Sequence, residues 1–235
     1  MAKTVIKNAH VISPDVDIEN ATVTVEDKII TSISTRKNAS TQGADAIVDI
    51  NGQYLMPGFI DVHTHGANTF DFCDPDPNAI YEIAKGKLAE GVTTFLPTTL
   101  TVSHEELMQA AKNLAAYADD GMKYAKTPGI HLEGPFINEK CCGAQNPKFV
   151  RKPSIAEVRE IDKVFPVKQI SYAVETEGGA KFAKECFKLG VVPSCGHTGA
   201  KLKDLMPAYK NGLRHMTHFC NQMTPLHHRE IGMVG

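Results

Sequence analysis

The sequence has no apolar run near the roughly 18 residues a membrane span needs, and its start, Met1-Ala2-Lys3-Thr4-Val5, lacks the apolar region of a secretory leader. Nor is there a surplus of either charge. The 25 basic and 27 acidic residues are interspersed to give a net charge of −2, which leaves no basic face for nucleic acid or an anionic membrane. Small-molecule partners and a cytoplasmic location are the expectation. No Cys-x-x-Cys pair occurs among Cys73, Cys141, Cys142, Cys186, Cys195 and Cys220, and their scatter suits reduced thiols, not a disulfide framework or a thiolate zinc site. Gly178-Gly179 is too short for a phosphate-cradling loop. What remains is an ordinary globular composition, 42% hydrophobic and 22% charged over 235 residues, with enough chain for a real core.

Residues 1–56 read as a small all-β unit. Short β-prone runs (Val5-Ile6, His10 to Ile12, Ala21 to Val25, Ile29 to Ile33, Ala46 to Ile50) are separated by turns, with Glu26-Asp27-Lys28 placed as a hairpin and Asn51-Gly52 as another turn. Residues 57–235 have a different texture, in which strand-like runs alternate with helical patterns. Strands are expected at 59–65, 93–97, 129–133, 169–175, 191–197 and 213–218. Helices are expected at 79–90, 104–119, 154–163, 179–189 and 201–210, with capping boxes Ser103/Glu106 and Ser154/Glu157. Such alternation predicts βα units around a parallel sheet, an α/β fold. A typical eight-unit (β/α) barrel takes about 250 residues, so residues 57–235 hold about six units. Pattern alone leaves two architectures: an open six-stranded sheet, or a barrel with only about six of its eight units.

The polar motifs fall where these strands end. His63 and His65 share one strand face by the two-residue period. His131-Leu132-Glu133-Gly134-Pro135-Phe136 follows the third strand, Gly196-His197-Thr198-Gly199-Ala200 the fifth and His218-Phe219-Cys220-Asn221-Gln222-Met223 the sixth. A (β/α) barrel builds its active site from such strand ends. His63, His65, His197 and His218 with Glu133 make a donor set suited to Zn²⁺ or Fe²⁺, and Glu133 has two oxygens with which to hold one ion or bridge two.

These motifs, together with Pro57-Gly-Phe-Ile-Asp-Val-His-Thr-His-Gly66, resemble the N-acetylglucosamine-6-phosphate deacetylases of the amidohydrolase superfamily, over essentially the whole chain. The resemblance implies a metal-dependent (β/α)8 TIM barrel beside a small β-sandwich, and so favours an incomplete barrel over an open sheet. By position it implies that Glu133, His197 and His218 are metal ligands. His63 and His65 match a pair found in only some members, where a second ion binds, so one or two Zn or Fe ions are expected. Gln145 falls where the family contacts substrate, Asn221 and Gln222 where backbone N–H groups hold a phosphate, and Arg229 where an arginine does so. The implied reaction removes acetate from N-acetylglucosamine 6-phosphate. The metal would polarise the acetamide carbonyl and make its water a stronger acid. Members of the family are often dimers, which makes a homodimer the expectation.

The family's general acid and base, an Asp at the end of an eighth strand, would lie beyond Gly235, as would a substrate-binding His and the last sandwich strands. Little deacetylase activity from these 235 residues alone, and self-association through open strand edges, are therefore expected. The alternatives are another amidohydrolase, such as a dihydroorotase-like enzyme, and an inactive metal-binding fragment. Among the other residues, His215 is expected on the outer face of its strand, three positions from His218. His227 and His228 stand beside Arg229; His10 and His104 are expected to be structural. Asp61 is a candidate support for a ligand histidine, Glu175 a strand-end carboxylate expected either near the site or solvated, and Cys195 and Cys220 bystanders.

Overall fold

The structure is a computed structural model in which residues 2–35 and 40–235 are described, divided into two compact units after Gly58. The first unit is one five-stranded sheet. Strands β1 (Lys3–Ser13), β2 (Val16–Glu26) and β3 (Ile29–Ser34) pair antiparallel in the order β3-β2-β1. Strands β4 (Ala46–Asp49) and β5 (Tyr54–Leu55) then lie parallel along β1 at successive positions. The two short runs read at Val5-Ile6 and His10–Ile12 are one strand, because the backbone bulges at Asn8 and pairing resumes with a shifted register. Asp27 and Lys28 both have positive φ, the twist a two-residue hairpin requires. Ala9, Val11, Ala21 and Val23 form the small core of this sheet.

The second unit alternates strand and helix: β6 (Phe59–Thr64), a small hairpin β7 (Gly66–Ala67) and β8 (Phe70–Asp71), α1 (Ala79–Ala89), β9 (Val92–Pro97), α2 (His104–Asp119), β10 (Ile130–Glu133), α3 (Ile155–Val164), β11 (Val167–Tyr172), α4 (Gly179–Leu189), β12 (Val192–Cys195), α5 (Leu202–Lys210) and β13 (His215–Met216). Strands β6 and β9 pair parallel, β10-β11-β12-β13 form a parallel run, and a parallel bridge between Thr98 and His131 joins β9 to β10. Helices α1 to α4 each bury two or more apolar residues, while α5 buries only Ala208. In α2, Leu107, Ala110, Ala111 and Leu114 recur at helical spacing and are buried. Its N-terminus is closed by a full capping box between Ser103 and Glu106. At α3 the box is half made: Ser154 caps Glu157 N, but the Glu157 carboxylate turns away to pair with Arg151.

Along the strands the two faces differ in chemistry. Ile130, Leu132, Ile170 and Tyr172 join the helices in the main apolar core. Their neighbours on the other face, His131, Glu133, Gln169 and Ser171, are buried and polar. Buried polar groups must be paired, and these are: His131 Nε2 lies 2.6 Å from Ser171 Oγ, which is 2.5 Å from Thr217 Oγ1, itself 2.6 Å from Ser194 Oγ. His215 Nδ1 completes the chain, 2.9 Å from Ser194 Oγ. The expectation of an outward His215 is thus corrected. Regular pairing stops at Met216, and His218 adopts φ +35°, so the period of two that would set His215 opposite His218 does not run that far.

Candidate metal centre

Glu133 sits at the last position of β10, its N–H directed at Thr99 Oγ1 (3.3 Å) and its side chain 2% exposed. Four imidazoles surround its carboxylate. Oε1 lies 2.9 Å from His218 Nε2, 3.3 Å from His197 Nε2 and 3.6 Å from His63 Nε2. Oε2 lies 3.1 Å from His65 Nε2 and accepts a 2.5 Å hydrogen bond from Gln145 Nε2. His197 Nε2 and His218 Nε2 are themselves 3.0 Å apart. Two donor groups therefore share one carboxylate: Glu133 with His197 and His218, and Glu133 with His63 and His65.

The ring tautomers follow from the hydrogen bonds on the far side. His197 Nδ1 is 2.8 Å from the Cys141 carbonyl and His65 Nδ1 is 3.1 Å from that of Thr98. A carbonyl only accepts, so in each neutral ring Nδ1 carries the hydrogen and Nε2 presents a lone pair to Glu133. Lone pairs facing a carboxylate repel unless a proton or a cation lies between them. Tetrahedral ligands about 2.0–2.1 Å from a zinc ion are about 3.3 Å apart, close to the 2.9, 3.0 and 3.3 Å that separate the Glu133, His218 and His197 donors. The residues fit a divalent cation. Either a cation or protons on Nε2 atoms can meet the Glu133 charge. Burial works against the charged form of Glu133, yet hydrogen bonds from His197, His218 and His65 outweigh it and hold the carboxyl well below the usual carboxylate range. For His218 the Glu133 hydrogen bond raises the pKa; for His65 burial opposes the same partner, which still raises it. Burial lowers that of His63.

The other expected site residues are distributed differently. Gln145 is 6% exposed, and its amide is fully engaged: besides the bond to Glu133, its Oε1 accepts from Thr101 N at 2.6 Å. Asn221 directs its N–H to the His218 carbonyl at 2.7 Å. Gln222 packs its side chain over Gly143, where a Cβ would come within 2.9 Å of Gln222 Cγ, and its carbonyl accepts from Thr198 N. The Arg229 side chain is exposed, with no hydrogen bond or ion pair among the described residues. Asp61 supports His63 through the backbone, accepting from His63 N at 3.1 Å, and also lies 3.6 Å from the buried Lys87 ammonium.

The amidohydrolase family profile matches residues 54–233 of this sequence. The chain belongs to the amidohydrolase family. It is 30% identical over 233 residues to N-acetylglucosamine-6-phosphate deacetylase of Lysinibacillus sphaericus, covering 98% of this chain and 59% of that protein. It is 32% identical over 195 residues to N-acetylgalactosamine-6-phosphate deacetylase of Escherichia coli O157:H7, covering 81% and 51%. The crystal structure of N-acetylglucosamine-6-phosphate deacetylase from Thermotoga maritima superposes with a TM-score of 0.82 at 32% identity, covering 98% of this chain and 59% of that one. The chain thus spans about three fifths, or less, of the length of these relatives.

Two further residues support the centre. His131 shares a strand face with Glu133 and is 0% exposed; its Nδ1 lies 3.0 Å from the Val62 carbonyl, on the histidine-bearing strand β6. Burial, followed by the charge of His63, pushes its pKa down to about 3, so it stays neutral. The His-x-Glu spacing was the available signal. The second is Glu175, which reaches across to the loop that carries His197. No helix among the described residues is long and apolar enough to cross a membrane.

Proposed function

We propose that this chain forms the metal- and phosphate-binding part of an N-acetylglucosamine-6-phosphate deacetylase. The observation that carries the reading is the convergence of Glu133 Oε1, His197 Nε2 and His218 Nε2 within 2.9–3.3 Å of one another. Those three would hold a divalent ion, Zn or Fe, and His63 and His65 with the same Glu133 carboxylate would hold a second. When bound, such an ion polarises a carbonyl oxygen and makes water a stronger acid. The chain's own residues do the rest. The Nδ1–H bonds of His197 and His65 fix both rings so that their Nε2 atoms meet the reacting centre. Gln145 holds Glu133 in place, and Arg229, with the Asn221–Gln222 segment, would receive the 6-phosphate. The setting proposed is a (β/α)8 barrel of TIM type of which residues 57–235 supply only about six units, together with a small β-sandwich contributed in part by residues 1–56, in a cytoplasmic homodimer.

The test is binding and turnover measured together on protein reconstituted with Zn²⁺ or Fe²⁺. Binding of N-acetylglucosamine 6-phosphate, lost in Arg229→Ala, with metal binding lost in Glu133→Gln, is the expected result. Acetate release identifies the chain as catalytic; substrate binding without release identifies it as the binding part of the enzyme. Failure to bind the phosphorylated sugar in the presence of bound metal overturns the proposal. The galactosamine epimer, offered in the same assay, reads the sugar preference.

A further inference from the structure

We infer that Glu175 is a positioning residue for the candidate metal centre, acting through a closed ring of hydrogen bonds that sets the backbone and the tautomer of His197. The inference rests on the reading of His197 as a ligand and adds a residue that touches neither metal nor substrate. Glu175 lies just past β11, the strand between β10 and β12, whose following loops carry Asn138 and His197. Its carboxylate accepts from Asn138 Nδ2 at 2.7 Å, from Thr198 Oγ1 at 2.5 Å and from Gly199 N at 2.6 Å. Thr198 Oγ1 also accepts from Ala200 N at 3.1 Å, which leaves its own hydrogen for Glu175. The residues immediately after His197 are thereby tied to one acid.

Asn138 carries the tie to the other side of the ring. Its N–H donates to the His197 carbonyl at 3.0 Å, and its Oδ1 accepts from Lys140 N at 2.9 Å, capping the short 3-10 turn Glu139–Cys141. The last carbonyl of that turn, Cys141 O, receives His197 Nδ1 at 2.8 Å. A single carboxylate therefore holds the turn that selects the His197 tautomer and the loop that supports its backbone. This constraint has something to hold: His197 has φ +48°, a left-handed conformation that a non-glycine residue keeps only when its surroundings enforce it. The ring is also tightly packed. A Cβ on Gly199 would lie 3.2 Å from Asn138 Nδ2 and 3.4 Å from Glu175 Oε1.

Loss of such outer support typically costs 10–100-fold in metal affinity. The experiment compares Glu175→Ala, Glu175→Gln, Thr198→Val and the double variant Glu175→Ala/Thr198→Val with the unmutated protein. It uses Zn²⁺ titration against a chromophoric chelator, thermal unfolding of the metal-free protein and ¹⁵N NMR of the His197 ring. Glu175→Ala is expected to raise the Zn²⁺ Kd about 10–100-fold and, at a pH where the ring is neutral, to shift His197 away from Nδ1–H toward a mixture of tautomers. Glu175→Gln, which keeps an acceptor for Asn138 and Gly199, recovers most of the affinity. The double variant is no worse than Glu175→Ala, because both act through one ring. Should Glu175→Ala fail to fold, Thr198→Val carries the same expectation in the same direction. A lowered unfolding temperature with Zn²⁺ affinity and His197 tautomer unchanged overturns the inference. If the unmutated protein binds no Zn²⁺, the proposed function fails, while the tautomer measurement still decides the role of Glu175.

Discussion

Replacing Gln145 by leucine separates two roles for this residue. Family resemblance puts it against substrate, whereas its amide bridges Glu133 Oε2 and Thr101 N inside the protein. Leucine has nearly the same volume, so little cavity is left and the loss is confined to hydrogen bonds. A hydrogen bond to a charged group contributes about 1.5–3 kcal/mol, and an orphaned buried N–H costs about 1–3 kcal/mol. With partial relaxation the variant is expected to lose about 3 kcal/mol. For a chain of this size that lowers Tm by about 6–12 °C. The assay is urea and thermal unfolding of both proteins stripped of metal by a chelator, followed by a Zn²⁺ titration, in which the freed Glu133 is expected to bind about 10–100-fold more weakly. A stability change under about 0.5 kcal/mol, together with weaker substrate binding at unchanged Zn²⁺ affinity, would refute the reasoning.

Three further expectations follow from the same geometry. Because Glu133 raises the pKa of His65 and His218, a cation must displace protons from both; Zn²⁺ affinity is full above the raised values and falls as pH drops through them, by up to about tenfold per pH unit for each proton. An affinity constant between pH 8 and pH 6 would contradict this. Burial pushes Cys73, Cys186 and Cys195 up to about 12, so at pH 8 only about one in ten thousand of each is thiolate, and exposed Cys220 should be the fast-reacting thiol in a dithiobisnitrobenzoate assay. Rapid modification of any of those three in native protein would be inconsistent with their burial. Leu114→Ala, at a 0% exposed position on the buried stripe of α2, should cost about 2–5 kcal/mol in urea unfolding, and a loss below about 1 kcal/mol would mean that the helix is not packed there.

The alternation of strands and helices was legible because its signals are local. Leu107, Ala110, Ala111 and Leu114 mark the buried face of α2, and Ser103 marks its start. The histidines and Glu133 were legible as a set because each falls at or just past a strand end. What escaped the sequence is set by contacts across the fold. The hairpin β7–β8 follows His65 in a stretch with no alternating pattern. His215 turns inward because the polar face of the sheet offers it Ser194, a partner 21 residues away in sequence. Gln145 reads by resemblance as a substrate contact, and nothing in the pattern shows that Glu133 and Thr101 take both ends of its amide. Glu175 is legible as a strand-end carboxylate either near the site or solvated, but its role is not, since its three donors come from two other loops.

The central claim is that Glu133, His197 and His218 hold one divalent ion. Crystals of the Zn²⁺-loaded protein, measured on both sides of the zinc absorption edge, test it directly. The account predicts an anomalous peak about 2.0–2.2 Å from Glu133 Oε1, His197 Nε2 and His218 Nε2. A peak bound only elsewhere, or none at saturating Zn²⁺, would contradict it.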